Sequence, residues 1–344
     1  MLSSLTAQLN QSSDLSSDQI SEVIESLISA DVDPAPKAEF LSALARKGET
    51  IEEIAAFAKI LRDKSLSPPL SEACRQREIL DVCGTGGDHQ NTFNISTTVA
   101  LLAAAAGVTV AKHGNRAITS KSGSADVLET LGIRIDLTPE ETAEALEKKG
   151  FAFFFAQKFH PAFKNIGPAR KLCAEQGQRT IFNFLGPLLN PARPTAQLIG
   201  VPKPALCEPL AKVLQSLEIR RGMVVCGDVG TGHLDELSTL GTNQIAEFYQ
   251  DRGFSIEALN PNSFPLQNAS LEDLKGGDST ENAAIIQALL SGNDRGPKRD
   301  AVLLNAGAAL FVAGKCSSLT EGWERAGELI DDGTAKAKLD ELRD

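Results

Sequence analysis

The chain has 344 residues, 42% hydrophobic and 23% charged, the composition of a globular protein with a sizeable core; a disordered chain, a collagen-like repeat and a small disulfide scaffold are excluded. Only 34 Lys and Arg stand against 45 Asp and Glu. The net charge of −11 speaks against a nucleic-acid coat or an anionic membrane surface, while leaving room for a local basic pocket. Cys74, Cys83, Cys173, Cys207, Cys226 and Cys316 form no C-x-x-C pair, so they read as reduced thiols and the protein as soluble and cytoplasmic. Residues 1–21 show no signal-peptide pattern. The longest apolar run, 99–111, is interrupted by Gly107 and Thr109 and falls short of the ~20 residues a membrane span needs.

In chain order, residues 1–72 carry helical patterns only and are expected to form a small domain. Ile20, Val23, Ile24, Leu27 and Ile28 recur at helical spacing behind Ser17 as a cap. A second helix starts near Pro36 with Phe40, Leu41 and Leu44. A third follows Thr50, where Thr50 and Glu53 make a capping box ahead of Ile54, Phe57, Ile60 and Leu61. The run SLSPP at 65–69 breaks the pattern and marks a boundary or hinge. From Glu78 the texture becomes α/β. Strands are predicted at 79–82, 108–111, 151–155, 197–201, 221–226, 244–249 and 254–258. Helices are predicted at 95–106, 140–149, 204–217, 281–290 and 299–313, with a last one from about Thr320. Strand, turn, helix, strand over 79–111 is a βαβ unit. The fold class is α/β: a small all-helical N-terminal domain, then a large domain over 73–344 with a mainly parallel central sheet flanked by helices.

Three loops carry chemistry. Gly84-Thr85-Gly86-Gly87-Asp88 directly follows the first strand, and its glycines let backbone N–H groups approach a ligand. Behind it, Asn91 to Thr97 opens a helix whose free N–H donors and dipole suit a phosphate or diphosphate. Neither a G-x-G-x-x-G nor a G-K-[ST] pattern is present, and the plainer reading is a tight βα turn with a polar cap. After the second strand, Lys112-His113-Gly114-Asn115-Arg116 and Ser120-Lys121-Ser122-Gly123-Ser124 place three cations among hydroxyls and glycines, suited to wrapping an anion. Both loops leave a parallel sheet at one edge, which favours a polyphosphate. The third loop, His233 to Ser238, carries Asp235 and Glu236. Such oxygens are ligands for Mg2+, which bridges to substrate phosphates; the plainer reading is an acidic helix start. No G-x-S-x-G, H-E-x-x-H or zinc spacing occurs, and His89, His113, His160 and His233 stand isolated. The chemistry is therefore expected to rest on phosphate and metal positioning, with neither a covalent nucleophile nor an assigned general base.

The motifs GTGGD at 84–88, NIST at 94–97, KHGNR at 112–116 and SGSAD at 122–126 resemble the anthranilate phosphoribosyltransferase family. So do His160-Pro161, RTIFN at 179–183, GPLLNP at 186–191 and Asp235-Glu236, in an order that spans roughly residues 5 to 335. The resemblance implies a fold similar to pyrimidine-nucleoside phosphorylases. In that fold helices from about 164–190 return to the small domain, the ligand cleft lies at the hinge, and the helical domain forms a homodimer interface. It implies transfer of the phosphoribosyl group of phosphoribosyl pyrophosphate (PRPP) to the amine of anthranilate, in tryptophan biosynthesis, with Mg2+ as cofactor and no nucleic-acid or membrane partner. By the same resemblance PRPP is held by Gly84, Gly87, Asp88, Thr92, Asn94, Ile95, Ser96 and Thr97. Lys112, His113, Gly114, Asn115, Arg116, Ala117, Ile118, Thr119, Ser120 and Ser124 complete that cradle. Gly84, Asn115 and Arg170 face anthranilate, with His113 and His160 at its entrance; Ser96, Asp235 and Glu236 are the metal-linked positions.

Two stretches depart from the family: KLCAEQGQ after Arg170 and Gly227 to His233 are each about three residues longer than its usual spacing. The first leaves Lys171 and Arg179 as alternatives to Arg170 for the anthranilate carboxylate. Two rival readings are a pyrimidine-nucleoside phosphorylase-like enzyme, which the 84–88 and 112–116 loops match less well, and a non-catalytic nucleic-acid-binding relative, which predicts a basic surface and eroded motifs.

Overall fold

A computed structural model describes residues 2–117, 121–250 and 253–343. The chain opens with four helices, α1 (Leu2–Leu9), α2 (Ser17–Ile28), α3 (Pro34–Lys47) and α4 (Ile51–Asp63). Ser16, one residue before the predicted cap, starts α2 in a capping box with Gln19. The predicted Thr50–Glu53 box starts α4. Glu53 also reaches beyond its own helix: buried, it accepts the Leu15 N–H at 2.9 Å and pairs with Lys47 at 2.8 Å, tying α4 to the segment before α2.

The rest alternates strands and helices: α5 (Glu72–Arg75), β1 (Ile79–Gly84), α6 (Ile95–Ala105), β2 (Thr109–Gly114), α7 (Ser124–Thr130), α8 (Pro139–Lys149) and β3 (Phe151–Phe155). After α9 (Ala156–Phe159), α10 (Gly167–Glu175) and α11 (Phe182–Leu185) come β4 (Ala196–Gly200), α12 (Cys207–Ser216), β5 (Arg221–Asp228), β6 (His233–Leu234), β7 (Asn243–Tyr249) and β8 (Gly253–Leu259). The helices α13 (Ser279–Leu290), α14 (Pro297–Val312), α15 (Leu319–Asp331) and α16 (Thr334–Arg343) close the described chain. The predicted last helix is thus followed by one more, and α7 was not foreseen. Both are short, and neither the Ala/Lys pattern of α16 nor the Ser-Gly-Ser start of α7 announces a core face.

The sheet order is β3-β2-β1-β4-β5-β7-β8, with β6 added to β5. The pairs from β3 to β5 are parallel, whereas β7 and β8 continue the sheet as an antiparallel ribbon. Because β2 lies on one side of β1 and β4 on the other, connections leave in opposite directions there and open a crevice at the carboxyl edge. Register brings Gly84 opposite Gly200 at that edge, and Gly114 ends β2.

One core lies between the sheet and α6, α13, α14, α15 and α16, with Leu80, Val82, Val110 and Met223 from the strands. A second unites α1–α4 with α10, α11 and α12 and with Ile199, Val224 and Phe248. The chain after Phe163 therefore does return to the first helices. Lys37 Nζ donates to Asn165 O at 3.0 Å, and Cys173 lies 3.5 Å from Ser42 Oγ. Among the described residues no helix is long and apolar enough to cross a membrane.

Candidate functional site

The acidic loop crosses the crevice between β1 and β4. A Cβ on Gly84 would sit 2.1 Å from Asp235 Oδ2, and one on Gly200 would sit 1.6 Å from the Asp235 carbonyl oxygen; only glycine admits the loop there. Asp235 Oδ2 accepts the Gly86 N–H at 2.7 Å, and Glu236 Oε1 accepts the Ser96 N–H at 3.2 Å in the first turn of α6. The glycine loop, the helix N-terminus and the acidic pair thus meet at one place.

Both carboxylates are half-buried and their ionised forms are penalised. Loss of water pushes Asp235 up to about 8, with the Asp88 charge adding to it; the Gly86 N–H works the other way. Glu236 is raised well above the usual carboxylate range by the same desolvation and by Asp235, against Lys112. A site that gathers like charges and leaves them short of counter-charge fits a cation. Among the described residues no three acidic, histidine or cysteine side chains form a closed cage. Two carboxylates suit Mg2+, which keeps waters and shares itself with phosphates.

The floor of the pocket is Lys112. It is 1% exposed, donates to Val82 O at 2.7 Å and lies 3.5 Å from Ser96 Oγ. Burial lowers its pKa, opposed by Asp81, Cys83 and Glu236. Asp81 is fully buried and pushed up to about 6 by desolvation, offset by Lys112 and by the Asn190 amide, which donates to it at 2.9 Å. The loop above is wound tightly, with Gly86, Gly87, His89 and Asn91 all at positive φ. It is pinned where Thr92 bridges to Lys275 and Phe93 N donates to Leu274 O at 3.1 Å. Ile95 and Thr97 turn their side chains into the core, so only their backbone can face a ligand.

Comparison with known proteins accounts for this assembly. Residues 76–336 match the glycosyl transferase family α/β domain, and residues 3–65 its helical bundle domain. An anthranilate phosphoribosyltransferase of Herpetosiphon aurantiacus is 46% identical over 329 residues, covering 96% of this chain and 94% of its own. The structure of the Thermus thermophilus anthranilate phosphoribosyltransferase superimposes with a TM-score of 0.89 at 42% identity, covering 98% of each chain. The chain belongs to the anthranilate phosphoribosyltransferase family. The Saccharomyces cerevisiae enzyme, solved in complex with PRPP and Mg, has a TM-score of 0.87 at 29% identity, covering 99% of this chain and 96% of that one.

The remaining family positions fall on both sides of the crevice. Asn94 stands at the start of α6 but bonds sideways, donating to Ser122 O at 3.2 Å and accepting from Asn282 at 2.8 Å. Asn115 accepts from Gln157 at 3.2 Å. Ser124 Oγ donates to Asn115 O at 3.4 Å and packs where a Cβ on Gly114 would be 2.3 Å away. Asp126 accepts the Ala117 and Gly123 N–H groups, both at 2.9 Å, and thereby shapes the second loop. Arg116 is exposed and turned to Asp126 and Glu129, whose hydrogen bonds push its pKa up. Ile118, Thr119 and Ser120 lie outside the described residues.

On the other wall an aromatic chain runs from His113 to His160, Phe163 and Phe182, with centroids 5.4, 4.9 and 5.8 Å apart. The Gly186 carbonyl accepts from His113 Nδ1 at 3.2 Å, so Nε2 is left as a buried lone pair. Arg170 lies over Phe182 at 5.5 Å, half-buried; among the described residues no carboxylate pairs with it, and desolvation lowers its pKa. Lys171 and Arg179 are exposed, but Arg179 Nη2 comes within 3.7 Å of a Cβ placed on Gly87, which puts it at the glycine loop.

Both longer stretches are accommodated locally. The first becomes the end of α10 and a turn through Gly177 at φ +67°, closed by Gln178 N to Cys173 O at 2.9 Å. The second folds into the β5–β6 hairpin, with Gly227 opposite Leu234, and leads the chain straight into Asp235. Sequence reasoning missed Asp81, Asn190, Asn282, Asn243 and Asn305, all buried amides or acids that hold the loops from behind. For Asp81, Asn190 and Asn305 the one signal is a lone Asn or Asp beside apolar residues; Asn243 and Asn282 sit in polar stretches and carry none.

Proposed function

We propose that this protein is an anthranilate phosphoribosyltransferase. It moves the phosphoribosyl group of PRPP to the amine of anthranilate, giving N-(5-phosphoribosyl)anthranilate and diphosphate, the second step of tryptophan biosynthesis from chorismate. The observation that carries the reading is the meeting of an N–H-lined helix start, a buried lysine and an acidic pair at the switch point, opposite a half-buried guanidinium free of a carboxylate partner among the described residues.

PRPP is held by the 84–88 loop, Thr92, Asn94 to Thr97 and the loop from Lys112 to Ser124. Asp235 and Glu236, with Ser96, would hold Mg2+, which when bound stabilises the charge that grows on the departing diphosphate. The Gly86 and Ser96 N–H groups hold Asp235 and Glu236 at the crevice, so the carboxylates that would keep the cation are in place before charge develops on the diphosphate. Arg170 meets the anthranilate carboxylate in charge-assisted hydrogen bonds and orients its amine. That aromatic amine is neutral at pH 7, so no strong base has to activate it. Asn115 and Gly84 border both substrates.

The same reading divides the chain into a helical unit, residues 1–72 joined by helices from about 164–190, and an α/β unit, with the cleft between them. The packing of α10 and α11 with α1–α4, with Lys37 bonded to Asn165 O and Cys173 against Ser42, supports it. A homodimer through the helical unit is supported by half-buried Ile51, Ile54 and Ile60 on α4, and a cytoplasmic address by six buried, unpaired thiols. The test is loss of anthranilate fluorescence. Loss is expected only with protein, PRPP and Mg2+ together; a folded protein that binds PRPP yet leaves anthranilate untouched would overturn the reading.

A further inference from the structure

Two asparagines grip the acidic loop from the side away from the cleft. Asn305, on α14 and 1% exposed, accepts the Leu237 N–H at 2.9 Å and donates from Nδ2 to the Leu237 carbonyl at 2.9 Å and to Ala301 O at 2.9 Å. One side chain thereby satisfies both polar backbone groups of the residue after Glu236. Asn243 treats Ser238 the same way, accepting its N–H at 2.6 Å and donating to its carbonyl at 2.9 Å.

A buried amide is an odd choice for the position. Asn is a weaker helix former than its alanine and leucine neighbours in α14, and an apolar residue would suit so buried a position. What the amide supplies is a link to the loop. Asp235 and Glu236 lie on a loop that crosses over Gly84 and Gly200 outside any strand or helix, so no ladder of its own fixes the peptide that follows them. On the near side, the loop is wedged over Gly84 and Gly200; on the far side, the Asn305 clamp fixes the peptide after Glu236.

We propose that Asn305 is a positioning residue that holds the Asp235–Glu236 pair in its metal-binding arrangement before any metal arrives. The proposal rests on the reading of that pair as the Mg2+ carboxylates. Amide bonds to the peptide on the far side of Glu236 leave only its side-chain torsions to settle on binding, as outer-shell partners do for metal ligands elsewhere.

The test is a Mn2+ titration read by electron paramagnetic resonance, in the presence of PRPP, on the full chain. Asn305→Leu, close in size and without hydrogen bonds, is expected to weaken Mn2+ binding roughly 10–100-fold while the KM for anthranilate stays unchanged. Asn305→Ala, native in kind to that alanine-rich helix, carries the same readout should the leucine variant fail to fold. Thr142→Val, which removes an equally buried hydroxyl from α8, reports stability loss alone and is expected to bind Mn2+ as the unmodified chain does. If the Asn305 variants melt lower but bind Mn2+ like the unmodified chain, Asn305 is structural and the proposal is overturned. If Mn2+ binding also survives Asp235→Asn with Glu236→Gln, the metal assignment itself is wrong, which is a different failure.

Discussion

The two halves of the crevice are built on opposite plans. The phosphate-suited half comes from short, contiguous loops: a strand end, a glycine turn, a helix start, and then the same again after β2. Its donors are backbone N–H groups, so their direction follows from the local winding at Gly86, Gly87 and the start of α6. The acidic half has a local frame only at its ends, in the β5–β6 hairpin before it and the Asn243–Ser238 bonds after it. Asp235 and Glu236 lie on a loop that gains its shape from partners 149, 140 and 68 residues away in sequence: Gly86, Ser96 and Asn305. One half can be read along the chain, whereas the other exists only after the sheet has brought Gly84 beside Gly200.

That contrast can be broken most severely at the acidic half. Replacing Asp235 by Asn and Glu236 by Gln is expected to lower kcat by roughly 100–1,000-fold, the scale seen when a preorganised charge-stabilising group is lost. The melting temperature should hold or rise, because two carboxyls held short of water are replaced by neutral amides. A Mg2+ titration of turnover beside a thermal melt separates the two effects, and unchanged Mg2+-dependent turnover would reject the pair.

The acceptor wall gives a smaller, more selective effect. Arg170→Ala is expected to raise the KM for anthranilate about 10–100-fold, the equivalent of charge-assisted bonds contributing about 1.5–3 kcal/mol, and to leave the KM for PRPP alone. If the rise instead follows substitution of Arg179, the guanidinium beside Gly87 is the carboxylate partner.

The smallest effect concerns pH. Burial pushes His160 down to about 4 and His113 down to about 3, so the folded protein keeps both neutral while the unfolded chain protonates them near 6.5. Between those values the unfolded state binds more protons, so stability falls as pH drops, by about 2 kcal/mol per histidine at pH 5. Asp81, raised to about 6, works in the opposite direction over part of that window. The comparison between variants is therefore the measure, rather than the wild-type curve. In urea denaturation, His160→Asn is expected to lose less stability than the unmodified chain between pH 7.5 and pH 5. Equal losses would mean the imidazole is not kept neutral by the fold.

Much of the architecture was legible because it is periodic. The helical spacing of Ile20 to Ile28, the Thr50–Glu53 box and the strand of 151–155 need only nearest neighbours to be recognised, and each appears where its pattern puts it. Both strands of the β7–β8 ribbon appear near their predicted places, and so short a connection allows only an antiparallel pair. The helix after α15 was not legible in that way: its docking depends on which distant surface is free to pack, and a short run of Ala and Lys carries no such information.

The same division runs through the site. By itself the amino-acid sequence determined the phosphate-suited turns, the basic loop and the presence of two neighbouring carboxylates, since these are properties of residue type and of the few bonds on either side. Only the tertiary structure decided that the carboxylates close over β1 and β4, that Lys112 becomes buried beneath them, and that Asn305 carries the acidic loop. Desolvation and long-range hydrogen bonding set those outcomes, and both arise when segments far apart in the chain exclude water from one another.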